Sequence, residues 1–135
     1  MKHFLKEKYG VSGSIKVDEK DFSFHDARCF YDTWQALVAN KMYEFKSSSS
    51  KPYIIDFGAN LVLSVYYFSK MYPNATIVAF ELEKAIYDVL QKNITAFELK
   101  NVTAYKKAVW DSETTLKFFT DKGMGGSVTN VFSKQ

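Results

Sequence analysis

Two acids and a glycine turn are the residues of this chain whose types and spacing could do chemistry. Asp56-Phe57-Gly58-Ala59-Asn60 closes the short run Tyr53 to Phe57, which is rich in β-formers. Glu81 stands directly after a second such run, Thr76 to Phe80. Gly58 allows a tight turn and lets a ligand approach the backbone with no Cβ in the way. Asn60 is short, polar and at ease in turns, and can donate to or accept from a ligand. Asp56, at the strand's end, can receive an amino group or order the loop through its amides. Taken alone, Gly58-Ala59-Asn60 serves equally well as a plain strand-to-helix turn. Glu81, roughly 20 residues past that turn, is placed to accept both hydroxyls of a ribose. Taken alone it is also a solvated acid favoured by a helix dipole. The conjunction of strand, glycine turn, helix, strand and acid, in that order, points to a ligand containing adenosine.

The turn also narrows the ligand. A dinucleotide's pyrophosphate is held at a helix N-terminus reached through G-x-G-x-x-G. Gly58-Ala59-Asn60-Leu61-Val62-Leu63 has only one of those glycines, with bulky residues where a phosphate needs close approach. That disfavours NAD and FAD, and no G-K-[ST] follows to make a phosphate loop. An adenosine ligand without phosphate fits best, and S-adenosylmethionine is the common one. A dinucleotide-binding oxidoreductase domain is the less favoured reading.

The elements that must position these residues follow from periodicity. Residues 1–25 alternate short apolar and polar groups around Gly10 and Gly13, as an irregular or short-stranded lead-in. From Asp26, a plausible N-cap, Phe30, Trp34, Leu37, Val38 and Met42 recur at helical spacing. The serine-rich stretch Lys46 to Pro52 separates this helical layer from the sheet. Tyr53–Phe57 and Thr76–Phe80 lack alternation, which suits strands buried on both faces of a parallel sheet. Between them 61–72 reads as a helix ended by Pro73-Asn74, and 83–97 reads as a second. A third strand begins at Val102 and is expected to run on to Ala108-Val109-Trp110. Strand and helix thus alternate, which predicts an α/β fold with parallel strands and right-handed crossovers. Beyond Asp111, 114–119 suggests an extra, antiparallel strand, and Gly123 to Ser127 a flexible loop. The expected organisation is a lead-in and helical segment over 1–50, then the first half of a Rossmann-like nucleotide-binding domain over 51–135.

Composition excludes several classes. A net charge of +3, from 18 basic and 15 acidic residues dispersed along the chain, gives no clustered basic face for nucleic acid. The single cysteine, Cys29, rules out an internal disulfide, and its place beside Phe30 suits a buried thiol. His3 and His25 stand apart from other ligand types, so no metal site is expected. No apolar run approaches the roughly 20 residues of a membrane span, and the N-terminus lacks a signal-peptide core. A cytoplasmic setting with no membrane partner is the expectation.

Taken together, Tyr53-Ile54-Ile55-Asp56-Phe57-Gly58-Ala59-Asn60, Ile77-Val78-Ala79-Phe80-Glu81, and Asn101-Val102 through Lys107-Ala108-Val109-Trp110-Asp111 resemble the FkbM-type S-adenosylmethionine-dependent methyltransferases. These are a class I, Rossmann-like family, and the resemblance covers roughly Phe22 to Ser127. It implies that Asp56, Gly58, Ala59 and Asn60 line the methionine side of the cofactor. It implies that Glu81 binds the ribose hydroxyls and that Ala108 and Val109 lie against the adenine, with Trp110 nearby. The reaction implied is O-methylation of a small-molecule or sugar-like acceptor, which needs the acceptor oxygen, methyl carbon and sulfur held in line. No catalytic base is assigned.

The chain departs from the family pattern in three places. Val62 stands where the family usually has glycine, and a β-branched side chain there is expected to crowd the cofactor. Leu82 stands where proline is common. The acidic D-x-E-G segment of the next core strand, and the remaining strands of the usual seven-stranded sheet, do not appear within the 135 residues. The expectation is therefore an incomplete methyltransferase core, with a non-catalytic or vestigial cofactor-binding module as the alternative. A sheet stopped after three strands leaves an open edge, so self-association through that edge is expected.

Overall fold

The computed structural model describes residues 9–59, 62–109, 111–112, 117, 119–120 and 126–127. The lead-in is a two-stranded antiparallel hairpin, β1 (Gly13–Val17) and β2 (Lys20–Phe24), with Val17 opposite Lys20. Asp18 and Glu19 form its two-residue turn, both with positive φ (46° and 64°). Such a turn matches the twist of the paired strands but ordinarily uses Asn or Gly. Here the Asp18 carboxylate is held from outside the hairpin, by the Tyr66 hydroxyl at 2.7 Å and Lys70 Nζ at 2.6 Å.

Asp26 then caps helix α1 (Ala27–Trp34), its Oδ1 accepting from the Cys29 N–H at 2.8 Å. Gly10 donates its own N–H to the other oxygen of the same carboxylate. These backbone donors outweigh the effect of burial and hold Asp26 below the usual carboxylate range. The expected run on to Met42 is interrupted. The helix widens into a π-helical turn over Gln35–Ala39, and Lys41 takes a left-handed φ of 52°. Met42 therefore leaves the helical stripe and is exposed.

Strand β3 (Tyr53–Phe57), helix α2 (Leu63–Met71), strand β4 (Thr76–Phe80), helix α3 (Lys84–Ala96) and strand β5 (Val102–Tyr105) follow in turn. The three strands pair in parallel in the order β3-β4-β5, with Asp56 opposite Ala79 and Ala79 opposite Ala104. The sheet with its flanking helices is a partial Rossmann-like α/β unit. Burial on both faces is not found. Ile54, Ile77 and Ala79 are buried, while Tyr53, Ile55, Phe57 and Tyr105 on the opposite face are exposed. Successive right-handed crossovers that step in one direction across a sheet place their helices on the same side, so one face goes uncovered among the described residues. The third strand also stops earlier than expected, at Tyr105, and Ala108 and Val109 lie exposed beyond it.

The covered face divides between two clusters: Ile54 and Ile77 pack with Phe68 and Ala75, while Ala79 joins the main core with the hairpin and α1. Phe22 is fully buried at its centre, its ring 5.4 Å from that of Phe30 and 5.6 Å from those of Tyr66 and Phe97. Leu63, Val65 and Leu90 reach it from α2 and α3. Two short strands, β6 (Phe119–Thr120) and β7 (Gly126–Ser127), pair antiparallel. Of the expected strand over 114–119, Phe119 belongs to β6, Lys117 is in no strand and the rest lies outside the described residues; of the expected loop Gly123 to Ser127, Gly126 and Ser127 form β7 instead and 123–125 lie outside the described residues. Among the described residues no helix is long and apolar enough to cross a membrane.

Candidate functional site at the strand ends

Parallel strands β3 and β4 end side by side, and their register decides which side chains meet. Asp56 shares the covered face with Ile54, because side chains alternate along a strand. Opposite Asp56 is Ala79, so continuing the register by two residues brings Gly58 abreast of Glu81. Asp56 and Glu81 are thus offset by two residues at the carboxyl end of the sheet, near enough that the Asp56 charge acts on Glu81. Open parallel sheets bind their ligands at this end.

Gly58 has φ +74°, a conformation that side-chain-bearing residues rarely adopt, and the position of its missing Cβ is open space. Its N–H and that of Ala59 both donate to the Phe80 carbonyl, at 2.9 and 3.1 Å. These two amides are committed to the neighbouring strand. They are not turned outward as the anion cradle that a pyrophosphate requires.

Glu81 is buried, and its Oε1 accepts the Glu83 N–H at 2.8 Å. Burial pushes its carboxyl above the usual range, with the Glu83 and Leu82 amides opposing and the charges of Glu83 and Asp56 adding to the rise. Asp56 is half-buried and shifted in the same direction by desolvation, opposed by the Ser64 hydroxyl, which donates to Oδ2 at 2.5 Å. Glu81 thus lies near the negative charges of Glu83 and Asp56, with backbone amides as its donors. A group that brings hydroxyl donors or positive charge suits this spot, and a phosphate does not.

Of the residues expected at the site, Asp56, Gly58, Ala59 and Glu81 come together at the ends of β3 and β4. Ala59 is buried, so it contributes through its backbone. Ala108 and Val109 follow β5 at the same end of the sheet, as exposed loop residues. Asn60 and Trp110 lie outside the described residues. Val62 does not project into the crevice: its side chain is fully buried in the core, at the N-cap of α2, with a left-handed φ of 62°. The expectation that it crowds a ligand does not follow from this placement. Ser64 is not singled out by the sequence reading, although a polar residue in the first turn, among Leu63, Val65 and Tyr66, is a usable signal.

The described residues thus define a class: a partial Rossmann-like α/β unit with an acid at the end of each of its first two strands. Over 99 residues, 73% of its own length and 38% of the relative's, the chain is 31% identical to Methyltransferase sdnD of Sordaria araneosa. Over 93 residues, 69% and 37% of the respective lengths, it is 26% identical to Methyltransferase 1 of Beauveria bassiana (strain ARSEF 2860). The chain therefore spans little more than a third of the length of these curated relatives. Both likenesses support a methyltransferase domain. No family model and no solved structure matches the chain.

Proposed function

We propose that this chain carries the cofactor-binding part of an S-adenosylmethionine-dependent methyltransferase of the FkbM type, set in the cytoplasm and acting by O-methylation of a small-molecule or sugar-like acceptor. The observation that carries this reading is the placing of Asp56 and Glu81 at the ends of adjacent parallel strands, beside the Gly58 turn and near enough for their charges to interact. In this reading Glu81 accepts the ribose hydroxyls, while Asp56 faces the methionine end, whose ammonium and sulfonium are positive. Gly58 and Ala59 form the wall of the turn, Asn60 is assigned to the methionine side by the resemblance alone, and Ala108 and Val109 flank the adenine. The methyl group belongs to the cofactor, and the protein's part is to hold it in line with an acceptor oxygen. The edge of β3, unpaired among the described residues, is in the same reading a surface for self-association.

Calorimetric titration with S-adenosylmethionine, S-adenosylhomocysteine and NAD tests this. Both adenosyl ligands should bind and NAD should not. Glu81→Ala should weaken adenosyl binding by about 10- to 100-fold, the scale of lost hydrogen bonds to a charged group. If neither adenosyl ligand binds, the reading fails. Binding without methyl transfer to any acceptor would favour a module that holds the cofactor without catalysis.

A further inference from the structure

Ser64 is the second residue of α2, eight positions after Asp56, and its hydroxyl reaches back across the whole strand-to-helix connection. A serine in a first helical turn usually satisfies local backbone groups or points to solvent. This one donates instead to Oδ2 of Asp56, at 2.5 Å, on the covered face of the sheet. The bond ties the last part of β3 to the start of α2 and so closes the loop that contains Gly58. It also engages one oxygen of the carboxylate, which fixes the orientation of the other.

Asp56 sits among groups that discourage its charge. Burial desolvates it, and the carboxylate whose charge it meets at the strand ends is Glu81, after β4. A donor held against Asp56 counters that disadvantage and keeps the group an acceptor. We propose that Ser64 is a positioning residue of this site, its hydroxyl holding one oxygen of the Asp56 carboxylate so that the other is aimed to receive the donor groups of the bound ligand. This rests on the reading of the crevice as an adenosyl site. Ser64 touches no ligand in this scheme and acts only through Asp56.

The experiment compares wild type, Ser64→Ala and Ser64→Thr, with S-adenosylhomocysteine as the probe, titrated calorimetrically across pH. Alongside it, the Asp56 carboxyl is followed by its ¹³C chemical shift in the ligand-free protein. Ser64→Ala should weaken binding about tenfold near neutral pH, on the scale of one hydrogen bond to a charged group. The acid limb of its affinity profile should move to higher pH, and the Asp56 titration should move the same way. Ser64→Thr keeps the hydroxyl and should return both to near the wild-type position. Wild-type affinity and an unmoved Asp56 titration in Ser64→Ala would overturn the proposal. So would an affinity loss that Ser64→Thr does not rescue, since that is the mark of packing alone. If wild type binds no adenosyl ligand, the functional reading fails, and the carboxyl titration still decides whether Ser64 controls Asp56.

Discussion

A carboxylate at Glu81 has opposite consequences for folding and for binding. Its carboxyl is raised above the usual range by burial and by the neighbouring charges of Glu83 and Asp56. A group raised in the folded state contributes stability below its unfolded pKa and loses that contribution as pH rises through the folded one. At neutral pH the ionised group therefore weighs against the fold, while ribose hydroxyls need that ionised form as their acceptor. Glu81→Gln should separate the two effects. The amide oxygen can still accept the Glu83 N–H, so the ligand-free protein should be more stable at pH 7, by about 1 kcal/mol or a few degrees in Tm. Adenosyl affinity should fall at the same time. In wild type that affinity should decline on acidification from a higher pH than an ordinary carboxylate gives. A Tm that drops in Glu81→Gln would mean the charge is used by the fold itself. Val62 poses a different residue-scale conflict, because a buried β-branched side chain holds a left-handed φ of 62°, a true outlier for its type. In a helical setting Ala exceeds Gly by about 1 kcal/mol. Here Val62→Gly should be at least as stable as Val62→Ala, since glycine alone sheds the conformational strain. Denaturant unfolding of the two variants checks this, and a clear advantage for alanine would refute it. A glycine is the residue that this φ would lead one to expect, so the family-pattern departure at Val62 is legible in the sequence. Its burial is not, because that depends on how α2 meets the hairpin.

At the scale of elements, α3 shows what periodicity reads and what it overlooks. Ile86, Val89, Leu90, Ile94 and Phe97 recur at helical spacing in the sequence; Ile86, Leu90 and Phe97 are buried, and Val89 and Ile94 are partly buried against the same core. Asn93 lies on the same face and is also buried, at 1% exposure. Its side-chain amide accepts from the Ser23 N–H and donates to the Ser23 carbonyl, both at 2.8 Å. It completes the edge of β2 as another strand would. A polar residue at a core position was the available signal, but its partner is 70 residues away and no local pattern could name it. Asn93→Ala should leave both Ser23 backbone groups buried without partners. The expected loss is about 3 kcal/mol, from two penalties of the usual size, read as a lowered denaturant midpoint with little change in slope. A loss under about 1 kcal/mol would show that water replaces the amide. The hairpin itself was less legible for a related reason. Its Asp18-Glu19 turn lacks the glycine or asparagine that announces such turns, and Tyr66 and Lys70 hold Asp18 from a distant helix instead.

For the whole molecule, the parallel order of the strands was readable because alternating strand and helix signals leave few topologies open. Which faces would be covered was not readable from strands that carry apolar residues on both sides. The uncovered face presents an aromatic row, Phe57, Phe80 and Tyr105, with successive ring centroids 5.6 Å apart. Tyr53 and Ile55 extend it to the outer edge of β3, where no strand pairs among the described residues. The one charge within β3, Asp56, points to the other face, so the usual protection of an edge strand by charge is missing. The exposed apolar area is on the order of 400–500 Å², at the upper end of what monomers tolerate. It falls short of the roughly 800 Å² per partner of a standard stable interface. The self-association proposed above should therefore be weak and reversible, growing with concentration in light scattering or sedimentation velocity. Ile55→Lys places a charge on the open face beside the edge and should hold the chain monomeric without changing its circular dichroism. Monomeric mass for wild type throughout the concentration range would rule out this surface as a contact between copies. An unchanged dimer in Ile55→Lys would move the contact elsewhere on the molecule.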